Sequence, residues 1–275
     1  MKWTPSLIKE KLAELEAGPK KSLGQNFLVS DQVIEKIIKK ATGFDCQLIE
    51  IGPGLGALTE RLIEIHRAPF ALIELDRQFV KKWSDRGMSV IAGDALQIDW
   101  NQFSPLSEKV LLSNLPYQIA ASLVIERSLD PQPFRGMVLM FQKEVAQKIK
   151  ARHGDENYGM LSVIAQEYWD IEMVLEASSK DFFPPPKVAS RVLSFSSRKS
   201  EMENRPSFLK FVKSCFSQPR KLMVSNLSHQ LNLDKLVLSD LLESQKINTK
   251  ARAEELTPTQ FRDLYKQVKK ICPSL

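Results

Sequence analysis

Asn114-Leu115-Pro116-Tyr117 puts an amide, a residue of fixed φ and an aromatic side by side. The run follows the apolar Val110-Leu111-Leu112-Ser113 and precedes a helix-like segment from Ala120. The exocyclic nitrogen of adenine is a poor nucleophile because its lone pair is shared with the ring. Acceptors on both of its N–H bonds favour a pyramidal nitrogen with a localised lone pair. The Asn114 side-chain oxygen can be one acceptor and a backbone carbonyl at Leu115 or Pro116 the other, with Pro116 fixing φ and so aiming that carbonyl. Tyr117 offers a face for stacking a flipped-out base, worth roughly 1–3 kcal/mol. The competing reading is a plain Asn-x-Pro turn before a helix.

A second constellation lies upstream. Glu50-Ile51-Gly52-Pro53-Gly54-Leu55-Gly56 sits where an apolar strand hands over to a helix. Glycines there let the backbone turn sharply and approach a ligand closely, with Gly52 and Gly54 nearest it. Gly52-x-Gly54-x-x-Ala57 also satisfies the relaxed dinucleotide fingerprint, so hydride transfer with a nicotinamide cofactor stays open from the turn itself. Glu74 lies 18 residues after Gly56, at the end of Ala71-Leu72-Ile73-Glu74-Leu75-Asp76. A carboxylate there can accept both hydroxyls of an adenosine ribose; Glu74 rather than Asp76 is expected to do so. Asp94, in Gly93-Asp94-Ala95, can accept from an adenine amino group or cap a helix. Gln25-Asn26-Phe27-Leu28 supplies a polar pair that can fold over the methionine end of a cofactor. Phe182-Phe183-Pro184-Pro185-Pro186-Lys187-Val188 is a stiff extended loop, able to hold an aromatic clear of the core and opposite Tyr117. One element would grip a nucleoside cofactor and the other present an amino group to it, which points to methyl transfer onto adenine. With an activated methyl, positioning dominates and no strong general base is needed.

The elements that must position these groups alternate in type. Apolar runs at Leu48–Ile51, Phe70–Leu75, Val90–Ala92, Val110–Ser113, Val138–Phe141, Ile171–Leu175 and Val188–Phe195 read as strands. Helical patterns at Ala57–Ile65, Gln78–Trp83, Ala120–Leu129, Lys143–Arg152 and Met160–Tyr168 lie between them. Such alternation predicts an α/β fold, a mostly parallel sheet with helices on both faces. The last strands follow one another without a helix, which predicts an antiparallel edge. After polar Ser196–Ser200 the pattern becomes all-helical, with helices around Phe208–Phe216, Leu231–Leu242 and Phe261–Val268. A boundary near 198 therefore separates a catalytic domain, 1–197, from a small helical domain, 198–275.

Composition narrows the class. The 275 residues carry net charge +6, and residues 198–275 hold 15 Lys and Arg against 8 Asp and Glu. A basic C-terminal third beside a near-neutral body suits nucleic-acid binding. Cys46, Cys215 and Cys272, like His66, His153 and His229, are scattered, so neither a disulfide framework nor a metal site is expected. No window approaches the ~20 apolar residues of a membrane span. Met1–Glu16 lacks a signal peptide's apolar core and reads as an amphipathic helix of a cytoplasmic protein.

In this order, Leu23-Gly24-Gln25-Asn26-Phe27-Leu28, Glu50 to Gly56, Ile73-Glu74-Leu75-Asp76, Gly93-Asp94-Ala95, Asn114 to Tyr117, Gln142-Lys143-Glu144-Val145 and Phe182 to Val188 resemble the ribosomal RNA adenine dimethyltransferases, small-subunit type. The likeness runs from about residue 20 to the C-terminus. It implies a Rossmann-like domain binding S-adenosyl-L-methionine, and 16S rRNA as substrate, with two adjacent adenosines near its 3′ end becoming N6,N6-dimethyladenosine. It implies cofactor contacts by Asn26, Leu28, Gly52, Glu74, Asp94 and Asn114, and a base held between Tyr117 and Phe182. A monomer is expected. A sister branch acting on large-subunit rRNA tends to carry Ile after the Asn and a charge inside the proline run, and Leu115 and Pro184-Pro185-Pro186 depart from that pattern. Pro219, in Ser217-Gln218-Pro219-Arg220-Lys221, stands where relatives usually have another Arg.

Overall fold

The computed structural model describes residues 2–20, 23–67, 69, 71–103, 108–130, 134–200 and 202–275. Phe70, which the apolar pattern assigned to a strand, lies outside them. In chain order the elements are α1 (Pro5–Glu14), β1 (Phe27–Leu28), α2 (Asp31–Thr42), β2 (Gln47–Ile51), α3 (Ala57–Glu64), β3 (Ala71–Glu74), α4 (Arg77–Asp85), β4 (Val90–Ala92), β5 (Lys109–Ser113) and α5 (Tyr117–Leu129). They continue as β6 (Gly136–Gln142), α6 (Lys143–Lys150), α7 (Met160–Tyr168), β7 (Trp169–Ala177), β8 (Phe182–Phe183), β9 (Ser190–Ser197), α8 (Arg205–Cys215), α9 (Met223–Leu231), α10 (Lys235–Ser244) and α11 (Pro258–Ile271).

The chain divides into two units, Met1–Ala146 with Asp170–Ser197, and Gln147–Trp169 with Arg198–Leu275. The first is built on a seven-stranded sheet of order β4-β3-β2-β5-β6-β9-β7. The pairs β4–β3, β3–β2, β2–β5 and β5–β6 are parallel, and β6–β9 is antiparallel. The central strands are buried along nearly their whole length, with every residue of β3 and β5 buried. That is why they read as continuous apolar runs and not as an alternation: helices cover both faces. On α2, Val33, Ile34, Ile37, Ile38 and Ala41 form one apolar stripe, while Asp31 and Lys39–Lys40 complement the helix dipole at its two ends. Chain order reverses between β2 and β5, so the crevice beyond their carboxyl ends is the topological switch point where open α/β sheets bind ligands.

A two-stranded sheet went unread in the sequence. β1 pairs antiparallel with β8, Phe27 opposite Phe183 and Leu28 opposite Phe182. Two-residue strands carry no periodicity, so only tertiary structure reveals them.

The second unit is helical and includes α7, which the alternating pattern had assigned to the first domain. α7 packs on α8 and α11, and its Val163 and Ile164 are buried. Tyr265 packs edge-on to Phe208 and donates from its hydroxyl to Ser207 Oγ at 2.7 Å. Leu231 closes α9, a helix the leucine spacing had merged with the next. Asn232 turns left-handed (φ 52°) and Asp234 caps α10, accepting from the N–H groups of Leu236 and Val237.

Candidate active site

The glycine turn leaves β2 with Gly52 N–H bonded to the Ile73 carbonyl at 2.8 Å. Gly52 has φ +66°, and a Cβ there would meet nothing within 4 Å, so its open side faces a cavity. Gly56 has φ +101°, and a Cβ there would run into the Trp83 ring. α4 grips this turn by its main chain. The Trp83 indole N–H donates to the Gly54 carbonyl at 2.9 Å, and the Lys82 ammonium donates to the Leu55 carbonyl while lying over the Trp83 ring. Burial pulls the Lys82 ammonium down to about 8.

Glu74 ends β3, buried. Its Oε2 accepts from Gly54 N–H at 3.1 Å, and its Oε1 from the N–H groups of Leu75 and Asp76 at 2.8 and 2.9 Å. Burial pushes its carboxyl up against these three donors. Three of about four acceptor positions are taken, leaving room for one further hydroxyl on Oε2, where the sequence suggested two. Glu50 lies deeper and accepts from Thr59 Oγ1 at 2.6 Å. Burial drives it up to about 8 against that hydrogen bond, and the Glu74 charge adds to the rise.

Asp76 serves a different purpose. It caps α4, and it accepts from Lys20 Nζ at 2.8 Å and Gln25 Nε2 at 3.0 Å. Burial raises its carboxyl, but the Lys20, Gln25 and Gln78 donors outweigh this and hold it below the ordinary range. The Gln25 amide is occupied at both ends, since its Oε1 accepts from Lys20 N–H. Gln25 therefore pins the segment before Asn26 onto β3 and α4, and its side chain is less free for a cofactor than its position suggested. Asp94 Oδ1 accepts from Leu96 N–H at 2.9 Å, and Oδ2 takes no hydrogen bond among the described residues. No helix begins directly after Asp94 among the described residues, so instead of capping one it closes a turn with Oδ1 and has one oxygen to spare.

The Asn114 turn follows β5. Asn114 Nδ2 donates to the Asn26 carbonyl at 2.9 Å, and Asn26 Nδ2 to the Gly24 carbonyl at 3.2 Å. Anchoring the amide nitrogen fixes the orientation of the group and turns Oδ1 into the unused end. The Pro116 carbonyl accepts from Ile119 N–H in the first turn of α5. Of the two carbonyls considered, Leu115's is the one that no backbone N–H occupies among the described residues. Tyr117 is half-buried, with its hydroxyl 2.8 Å from Ser190 Oγ. Burial raises its phenol, which stays neutral. Ser190 was not legible in the sequence, because only the β6–β9 pairing brings it to the turn.

Gln25, Asn26, Leu28, Gly52, Gly54, Glu74, Asp94, Asn114, Leu115 and Tyr117 all line one cavity of about 150 Å³. A single water needs only about 10–15 Å³, so the space is of small-molecule size. Phe182 does not line it. It is 3% exposed and packs in the core cluster with Phe27 and Leu28, because pairing with β1 turns it inward. The expected aromatic wall opposite Tyr117 is absent at that residue in this structure.

Glycine turn, ribose-type carboxylate and Asn-Leu-Pro-Tyr turn at one switch point define a Rossmann-like methyltransferase domain. A profile of the family described as ribosomal RNA adenine dimethylase matches residues 18–270. The chain belongs to that family. It is 53% identical over 251 residues to a ribosomal RNA small subunit methyltransferase A of Bdellovibrio bacteriovorus, covering 90% of this chain and 91% of that one. A relative of the same name from Natranaerobius thermophilus is 34% identical and covers 96% of each. Among solved structures, a dimethyladenosine transferase from Plasmodium falciparum superposes with TM-score 0.75 at 25% identity, covering 89% of this chain and 98% of that one. The 23S rRNA methyltransferase ErmE shares the fold, with TM-score 0.63 at 22% identity and coverage of 89% and 100%. The nicotinamide alternative, resting on the glycine pattern alone, falls away.

Proposed function

We propose that the chain transfers methyl groups from S-adenosyl-L-methionine to N6 of two adjacent adenosines near the 3′ end of 16S rRNA, giving N6,N6-dimethyladenosine during small-subunit biogenesis. One observation carries the reading. Asn114 is anchored by its amide nitrogen, so its oxygen is the free end, in the same cavity as Glu74 and Asp94.

The residues present fit the donor. Gly52 leaves the backbone open to close approach, Glu74 Oε2 has an acceptor position for a ribose hydroxyl, and Asp94 Oδ2 has one for an adenine amino group. Asn26 and Leu28 line the same cavity, and Asn26 receives the Asn114 amide on its carbonyl. When bound, S-adenosylmethionine supplies a methyl group on a sulfonium, so positioning outweighs acid–base help. Asn114 Oδ1 and the Leu115 carbonyl accept the two N–H bonds of the target amine and localise its lone pair. Tyr117, its hydroxyl held by Ser190, offers its ring to the base. Asn114 accepts without ionising, and the proton released goes to solvent. After one transfer a single N–H remains, so one acceptor suffices for the second.

Within residues 198–275 the excess of Lys and Arg suits the RNA backbone, whose phosphates supply most of the sequence-independent affinity. Among the described residues no helix is long and apolar enough to cross a membrane, and we place the enzyme in the cytoplasm as a monomer.

The test uses the purified chain, labelled S-adenosylmethionine and small subunits lacking the modification. Nucleoside analysis should yield N6,N6-dimethyladenosine from 16S rRNA. Label appearing only in large-subunit RNA, or none at all, would overturn the reading.

A further inference from the structure

The N-terminal segment lies before the family match, which begins at residue 18, yet Trp3, just ahead of α1, reaches the cavity. Trp3 is only 4% exposed and lines the cavity together with the Glu50–Leu58 turn. Trp3 and Ala57 also line a second cavity, with Ile34, Glu35 and Arg61, so Trp3 borders both.

The helix that follows Trp3 is held at both ends. Thr4 Oγ1 caps α1 by accepting from Leu7 N–H at 3.1 Å, and Pro5 begins the helix with its φ already helical. Ile8 and Leu12 sink into the core cluster that holds Phe27, Leu28 and Phe79. At the far end, Gln78 Nε2 donates to the carbonyls of Leu15 and Glu16 at 3.3 and 3.0 Å, tying the end of α1 to α4. Lys9 Nζ lies 5.5 Å from the Phe183 ring centroid, over β8. An indole fixed this way is a preformed surface and not a mobile flap. An aromatic face suits aliphatic and cationic groups, and the amino-acid half of the donor carries both, beside its sulfonium.

We propose that Trp3 forms part of the donor-binding wall, so that the segment just before α1 contributes directly to holding S-adenosylmethionine, with α1 fixing its place. This rests on the reading of the cavity as the donor site.

The experiment compares the full chain with Trp3→Ala, Trp3→Phe and, as a control on the cavity, Asp94→Ala. Trp3→Ala should raise the donor KM about tenfold, the loss of one well-packed aromatic contact, with kcat at saturating donor and the RNA KM unchanged. Trp3→Phe should restore donor KM to within about twofold. The tryptophan emission response to S-adenosylhomocysteine should be visibly smaller in Trp3→Phe than in the parent. An unchanged donor KM in Trp3→Ala overturns the proposal. Should that variant fail to fold, an emission response in Trp3→Phe equal to the parent's overturns it instead. If Asp94→Ala also binds donor normally, the underlying assignment of the cavity fails; if only Asp94→Ala weakens binding, the Trp3 proposal alone fails.

Discussion

The glycine turn is gripped by its main chain, whereas the Asn114–Tyr117 turn is gripped by its side chains. Around the first, Glu74, Lys82 and Trp83 all bond to peptide groups of Gly54 and Leu55. Around the second, Asn114 and Tyr117 each commit one polar atom, to the Asn26 carbonyl and to Ser190. The difference fits the role we propose for each. A cradle that meets its ligand through backbone can be fixed by neighbouring side chains without blocking the ligand. A turn that acts through its own side chains must spend one end of each on anchoring and keep the other end free. The first device resists deformation; the second sets orientation.

That contrast can be broken at several points. Asn114→Ala should lower kcat by at least about a hundredfold, the scale for losing one preorganised polar group at a reacting centre, with donor affinity within about threefold. Turnover near the parent's at saturating RNA would remove Asn114 from its role. Gly56→Ala should act through stability instead. The left-handed φ and the Trp83 ring both oppose a Cβ, and a loss of about 2–4 kcal/mol is expected by chemical denaturation. A midpoint unchanged from the parent would show that the turn can shift away from α4.

Glu50→Gln tests the electrostatics beneath the turn. With its carboxyl raised to about 8, the folded protein holds a proton that the unfolded chain has already lost above about pH 4.3. Stability should therefore fall as pH rises from about 4.3 to 8, at up to about 1.4 kcal/mol per unit, and level off above 8. Glu50→Gln should flatten that slope in urea titrations at pH 5, 7 and 9; parallel curves for both proteins would place the Glu50 pKa in the ordinary range. The smallest effect is expected for Ser190→Ala, which leaves the Tyr117 hydroxyl without its partner at a cost of about 1 kcal/mol. It should raise the RNA KM several-fold and leave donor binding alone. Tyr117→Phe should then add little to it, and additive effects would mean that the two side chains act independently.

Much of this site is local and so can be read from the chain. Glu74 ends a strand, and Gly52, Gly54, Asp94 and Asn114 each lie within three residues after one, and a parallel sheet carries all strand ends of one kind to one edge. Phe182 shows where such reading stops. Its proline-rich neighbours promised an aromatic held outward, but β8 pairs with β1 and the ring turns into the core. α7 shows the same at larger scale: its spacing told of a helix between strands but not of the unit it packs in.

The amino-acid order alone determined the strand–helix alternation, the glycine turn and the residues that end each strand, because these depend on backbone freedom and side-chain spacing over a few residues. Only the tertiary structure decided that β9 lies between β6 and β7, that Ser190 meets Tyr117, that Trp83 bonds to the glycine turn, and that Trp3 lines the same cavity as that turn. Those contacts join residues tens of positions apart, and their energy depends on shapes that exist only once the sheet has formed.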